Sequence, residues 1–321
     1  MKQVVITGAG GFLGGNLVIA FAQAGYRVWA GDVAPPDPAL QRAWEETGGS
    51  VEVVRLDVCQ DQDWNHLPRT GVNAVVHAAA VTSGLTDENP ALTTRVNVGG
   101  TVQALEWARR TGVDRFVYIS SSAVYRGVTS DGPLKEDLPL APTTVYGRTK
   151  WASEGFVNLY GDVMDSVTSI ARLPSLFGPW ERPNRYRQLT SPVHQLIAGG
   201  LEKGRVRAAS LQGGKRDYTP AEAVAGALVQ LVALPVPPRL LNLSTGCFVG
   251  WEELKSVLEV LLDADFVLGD DPEIADVVLT PTSGEQPMDT GRMTQAGIDL
   301  APSFPEGLER TVEWFKSYYQ D

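Results

Sequence analysis

A short apolar run, Gln3–Thr7, passes without a break into Gly8-Ala9-Gly10-Gly11-Phe12-Leu13-Gly14, and a helical pattern, Gly14–Ala24, follows at once. Few features constrain a fold more. Glycines at such a turn let the backbone approach a ligand closely, and the helix beyond offers unpaired N–H groups and the positive end of its dipole. A pyrophosphate suits that position. A plain strand-to-helix turn would use the same residues, so context has to decide. Gly8, Gly11 and Gly14 follow a Gly-x-x-Gly-x-x-Gly spacing, with Leu13 where the commoner dehydrogenase pattern has its third glycine. A second run, Arg27–Asp32, ends on an acid roughly 20 residues further on, where a carboxylate meets the ribose of a dinucleotide. Asp32 accepts hydrogen bonds from ribose hydroxyls but repels a 2′-phosphate, and Val33 and Ala34 cannot neutralise one. NAD is favoured over NADP.

The pattern continues through the first half. Val51–Asp57, Ala74–His77, Arg115–Ser120 and Ser166–Arg172 read as buried strands, and Pro90–Thr111 and Thr143–Tyr160 as helices. This alternation predicts an α/β fold, a Rossmann-type doubly wound parallel sheet that binds ligands beyond the carboxyl ends of its strands. After Pro174 the pattern changes: Pro192–Ala198, Pro220–Leu234, Trp251–Leu262 and Pro305–Tyr319 read as helices, with extended pieces at Arg205–Leu211 and Leu240–Ser244. We therefore expect an NAD-binding domain over 1–174 and a smaller mixed α/β substrate lobe over 175–321. The boundary should be discontinuous, with parts of 205–245 returning to the first domain.

Charge and composition exclude several classes of function. Among 321 residues, 27 Lys and Arg face 38 Asp and Glu, a formal charge of −11 that repels polyanions, so no nucleic-acid partner is expected. The longest apolar stretch, Ala227–Pro237, contains Gln230 and falls short of the ~20 residues of a membrane span. The chain enters its first apolar run directly after Met1-Lys2, which reads as a cytoplasmic protein without a signal peptide. Cys59 and Cys247 form no disulfide framework, and His66, His77 and His194 have no metal-ligand spacing, so no metal is expected.

Tyr146 and Lys150 stand at i and i+4 on one face of a predicted helix. A phenol is a poor base near neutrality, but a neighbouring ammonium favours its phenolate. Such a pair is common on exposed helices. Here it follows the glycine turn, the acid after the second strand, and Ser120-Ser121-Ser122 at the end of the fifth.

Taken together, these residues resemble the extended short-chain dehydrogenases/reductases, the NAD-dependent epimerase/dehydratase family. The resemblance spans nearly the whole chain. Thr7-Gly8-Ala9-Gly10-Gly11-Phe12-Leu13-Gly14 is similar to the family's nucleotide loop, and Leu56-Asp57-Val58 to its adenine-contacting segment. His77-Ala78-Ala79-Ala80 is similar to its alanine motif under the cofactor, and Asn97 to the asparagine that supports the active site. Arg172-Leu173-Pro174-Ser175 is similar to the segment flanking the nicotinamide, and Arg216-Asp217-Tyr218 to the substrate-lobe motif. The resemblance implies that Tyr146 is the acid–base group and that Lys150 lowers its pKa and holds the nicotinamide ribose. It also implies that Ser121 hydrogen-bonds the reacting oxygen. The implied cofactor contacts are Gly8, Gly11, Phe12, Leu13, Gly14, Asp32, Asp57, Val58, Ala78, Ala79, Ala80, Asn97, Tyr146, Lys150 and Pro174. The implied substrate contacts are Thr82, Ser121, Ser122, Tyr146, Ser175, Arg185 and Arg216.

Departures narrow the reaction. Ser122 and Ala123 stand where the dehydratase branch has its acidic pair, and the glutamate of the decarboxylase branch is missing at Ser122, so both reactions are disfavoured. Ser175 stands where nucleotide-sugar epimerases have an asparagine. Arg182, Arg185 and Arg187, with His194, give a local positive charge suited to an anion, although a solvated loop would carry the same residues. The expected function is NAD-dependent oxidation of a secondary hydroxyl on a sugar-like, anionic substrate, foremost by a sugar or nucleotide-sugar epimerase. A net dehydrogenase/reductase remains the alternative, and an NAD-sensing binding protein a remote one, because such proteins typically lose the tyrosine or lysine. Related proteins pair through two helices, so a homodimer is expected, with Leu92, Val96, Leu105, Trp107, Trp151, Phe156 and Val157 as its apolar surface.

Overall fold

The computed structural model describes residues 1–82, 85–183, 187, 189–210, 215–269, 271, 273–279 and 286–318. Six strands of the first half, β1 (Gln3–Thr7), β2 (Arg27–Asp32), β3 (Val51–Arg55), β4 (Ala74–His77), β5 (Arg115–Ser121) and β6 (Val167–Leu173), join a seventh, Leu240–Asn242, in one parallel sheet. Across the sheet the order is Leu240–Asn242, β6, β5, β4, β1, β2, β3. The chain thus winds outward from β1 through β2 to β3, then crosses back to β4 and winds the other way. The strand order reverses between β1 and β4, which opens a crevice at their carboxyl ends.

Both faces of this sheet are covered, and alternate residues serve alternate cores. Val4 and Ile6 pack with Leu17, Phe21, Leu228 and Leu231 on one side; Val5 packs with Val75, Leu105, Trp107 and Phe116 on the other. The first core joins helix Phe12–Gln23 to helix Ala221–Ala233, so a helix from the second half closes the sheet of the first. Two smaller three-stranded sheets complete the second half. One orders Phe248–Val249, Arg216–Pro220 and Ser175–Phe177; the other orders Asp265–Gly269, Arg205–Ser210 and Val277–Leu279.

Three features differ from the sequence reading. The single helix expected over Pro90–Thr111 is interrupted by a wide π turn at Arg95–Gly99, where Asn97 turns inward to bind backbone. The sequence reading has no helix at Pro38–Glu46; Asp37 caps it by accepting from the N–H groups of Ala39 and Leu40, Pro38 opens it, and Leu40 and Trp44 bury one face. Leu105, Trp107 and Val157, expected on an apolar outer surface, are buried against the sheet instead. No helix of the described residues is long and apolar enough to cross a membrane.

Candidate active site

At the crevice lies a cleft of about 1460 Å³. Gly8, Gly11, Phe12, Leu13 and Gly14 form its floor, and two of these glycines are demanded by packing. Gly8 has φ +71° and its missing Cβ would sit 2.8 Å from the backbone of Ala79; a Cβ on Gly14 would fall 1.9 Å from Gly8 O. The turn therefore presses helix Phe12–Gln23 close to β1. Gly11 caps that helix without a side-chain acceptor, and no acid stands in the first turn, so its N–H groups face the cleft. This arrangement fits a diphosphate. Asp32 closes one end, where Oδ2 accepts from Gly10 N at 3.0 Å and Oδ1 from Ala34 N at 3.2 Å. Asp57 and Val58 line the same end, with Asp57 Oδ1 accepting from Cys59 N. Ala78, Ala79 and Ala80 form the wall beyond β4, and Thr82, Pro174 and Ser175 extend it.

The candidate catalytic side chains meet in the cleft. Helix Val145–Val163 begins at the Thr144 cap and places Tyr146 and Lys150 on its cleft side. Ser121 ends β5, and its hydroxyl accepts from Ala123 N at 3.2 Å to cap the short turn Ser122–Tyr125; Ser122 lines the cleft beside it. Burial raises the Tyr146 phenol to about 12, against which a hydrogen bond with Ser121 and the positive charge of Arg187 work. Lys150 Nζ donates to Ile119 O at 2.8 Å and lies 5.7 Å from the Tyr146 ring centre. Burial pushes the ammonium down to about 7, and the charge of Glu154 opposes that shift. Arg187, from the other half of the chain, adds a second positive charge that favours the Tyr146 phenolate.

Comparison with known proteins places this geometry. The model of the NAD dependent epimerase/dehydratase family matches residues 4–244. The chain belongs to that family. It is an enzyme of the family, and a UDP-glucose 4-epimerase from Mycolicibacterium smegmatis is 26% identical over 99% of this chain and 100% of that protein. The structure of MoeE5 in complex with UDP-glucose and NAD is 26% identical, covers 99% of this chain and 100% of its own, and superposes with a TM-score of 0.76. A UDP-glucose 4-epimerase from Thermotoga maritima, at 21% identity, 99% and 100% coverage and a TM-score of 0.82, supports the fold.

Within this epimerase/dehydratase chain, the remaining candidates divide. Asn97 does not line the cleft. Its Oδ1 accepts from Val81 N at 2.8 Å, and its Nδ2 donates to Val81 O and Thr149 Oγ1, so it braces the cleft wall. Arg216 does line it. Arg185 lies outside the described residues. Arg182 is engaged by Asp37 at 2.6 Å and donates to Tyr318 OH at 3.1 Å. Arg187 pairs with the fully buried Glu181 and lies 5.3 Å from the ring centre of Phe12. Sequence reasoning saw Arg187 only as part of a basic cluster. It lines the same cleft as Tyr146 through the tertiary fold, which no spacing announces.

Proposed function

We propose that the protein is an NAD-dependent epimerase of a sugar carrying an anionic group, with nucleotide sugars the foremost class. The observation that carries this reading is the convergence of Tyr146, Ser121 and Lys150 at the middle of a cleft whose floor is the glycine turn. Bound along that floor, with Asp32 at the adenosine ribose, the nicotinamide would supply the electron acceptor for oxidation of a secondary alcohol. Tyr146 removes the proton of the substrate hydroxyl and returns it when the carbonyl is reduced again. Ser121 donates a hydrogen bond to the same oxygen as it changes from hydroxyl to carbonyl. Lys150 would hold the nicotinamide ribose, and Thr82, Ser122, Ser175 and Arg216 would contact substrate. Ser122 and Ala123 put no carboxyl beside Ser121, which favours epimerisation over loss of water. Asp32, with Val33 and Ala34 after it, favours NAD over NADP.

The relatives named as acting on or holding UDP-glucose support the nucleotide-sugar class. The test incubates the protein with NAD and UDP-glucose, UDP-glucuronic acid, dTDP-glucose, free sugars and sugar acids. Product stereochemistry and reduced-nicotinamide absorbance are followed together. Inversion at one carbon without accumulated NADH is expected. Stoichiometric NADH would make the enzyme a dehydrogenase, and full activity in Tyr146→Phe would overturn the reading.

A further inference from the structure

Helix Val145–Val163 carries three ionisable side chains one turn apart on the same face: Tyr146, Lys150 and Glu154. The first two line the cleft, and Glu154 is buried behind them. Its carboxylate is fully engaged. Oε1 accepts from the Ser120 hydroxyl at 2.5 Å and from Arg172 Nε at 2.9 Å, and Oε2 accepts from Arg172 Nη2 at 2.7 Å. Ser120 and Arg172 are register partners on β5 and β6, so one carboxylate bonds two adjacent strands immediately before Ser121 enters the cleft. The other guanidinium nitrogen, Nη1, donates to Tyr125 OH at 2.8 Å and Glu136 O at 3.0 Å, which fixes Arg172 in place.

A buried ion pair is a weak source of stability, because desolvation offsets most of its attraction. Its position suggests another role. Lys150 is 2% exposed and donates to a neutral carbonyl, and no carboxylate pairs with it directly among the described residues. Tyr118 faces it from β5 at 5.0 Å, His77 from β4, and Arg172 stands on β6 beyond Glu154. Of these neighbours only Glu154 is an anion, and its charge is the one that favours the ammonium against burial.

We propose that Glu154 is the positioning residue of the reactive pair: anchored by Arg172 and Ser120, its carboxylate keeps Lys150 charged in a buried site and fixes the end of β5 beneath Tyr146. This inference rests on the assignment of Tyr146 and Lys150 above.

The test follows Lys150 itself in the NAD-loaded protein, through the pH titration of its side-chain NMR signal with carbon-13 lysine. The signal is identified by its loss in Lys150→Met. Glu154→Gln should lower the midpoint by about one pH unit or more, since an opposite charge close by is worth roughly one to three and Arg172 is left bare. Arg172→Met should raise it, because the carboxylate loses its counter-ion. The double variant Glu154→Gln/Arg172→Met removes both buried charges, which spares the fold an uncompensated one. Its midpoint should lie below the wild type but above Glu154→Gln. Ser120→Ala removes the tie and no charge, and should leave the midpoint in place. A carboxylate that only braces the helix would lower the melting temperature in these variants with the midpoint unmoved, and that result overturns the proposal. Turnover of Tyr146→Phe and Lys150→Met tests the underlying assignment separately. If both stay active, that assignment fails; if both are inactive while the midpoint ignores Glu154, this inference alone fails.

Discussion

The guanidinium of Arg216 lies 5.8 Å from the ring centre of Tyr218, buried at the cleft wall, and no carboxylate pairs with it among the described residues. Burial lowers its pKa from the ordinary guanidinium value, yet arginine stays protonated in proteins. A cation of this kind, stacked on an aromatic ring and facing a ligand cleft, is suited to a phosphate or carboxylate. Arg216→Ala should raise KM for the substrate by roughly 10–100-fold, on a scale of about 1.5–3 kcal/mol for a charge-assisted hydrogen bond. NAD affinity should not change. Steady-state kinetics beside an NAD titration checks this, and an unaltered KM with a lowered melting temperature would make Arg216 structural.

Tyr146→Phe keeps the ring and removes the hydroxyl proposed to move the proton. Turnover should fall by roughly 10²–10⁴ while NAD still binds. Burial holds the phenol near 12 even with Ser121 and Arg187 working against it. Near-normal turnover in the variant would assign the proton transfer elsewhere.

Asp32 is held in place by the backbone N–H groups of Gly10 and Ala34, so its carboxylate cannot swing away from an incoming 2′-phosphate without breaking both bonds. Arg182, the nearby cation, is already paired with Asp37. NAD should bind at least ~10-fold tighter than NADP, about 1.4 kcal/mol. Calorimetric titration with each dinucleotide measures the ratio directly, and equal affinities would count against the role given to Asp32.

The parts of the site that were legible in the sequence are those fixed by local spacing. The glycine turn, Asp32 at the end of β2, and Tyr146 with Lys150 on one helix face need only strand and helix periods to be placed. Arg187 and Glu154 are different. The charge of Arg187 reaches Tyr146 from the opposite half of the chain, and Glu154 acquires its meaning only because Ser120 and Arg172 fall in register on β5 and β6. Asn97 is marked only by the family resemblance; its inward turn at Val81 depends on a π turn that helical periodicity does not reveal. Other short strands of the second half escaped for a simpler reason. Runs such as Ser175–Phe177 and Val277–Leu279 are too brief to show alternation.

His77 stands between Thr7 and Thr101, its ring nitrogens 2.8 and 3.2 Å from their hydroxyl oxygens. Burial, and then the charge of Lys150, push it down to about 3. In the unfolded chain a histidine takes its proton near pH 6.5, so below that pH the unfolded state binds a proton that the folded state refuses. Stability should therefore fall as pH drops from about 6.5 towards 3. His77→Gln can still bond both threonines but has nothing to titrate there. Its melting temperature should decline less steeply with acid than that of the wild type; parallel slopes would exclude His77 as a source of acid sensitivity.

Helix Val145–Val163 also carries the argument for a dimer on its outer side. Trp151, Phe156, Leu159 and Val163 are exposed there, while Val157 of the same helix is buried against the sheet. Single apolar residues at a surface need no explanation, but four along one side of one helix make it the face to test for the expected dimer. A two-fold axis beside the helix would set this face against its own copy, so that each substitution acts twice in the interface. The wild type should behave as a dimer by light scattering at micromolar concentration. The double substitution Trp151→Glu/Leu159→Glu, which places like charges on both sides of such an axis, should give a folded monomer. A monomeric wild type would refute the dimer; a dimer that ignores the double substitution would move its interface to another face of the molecule.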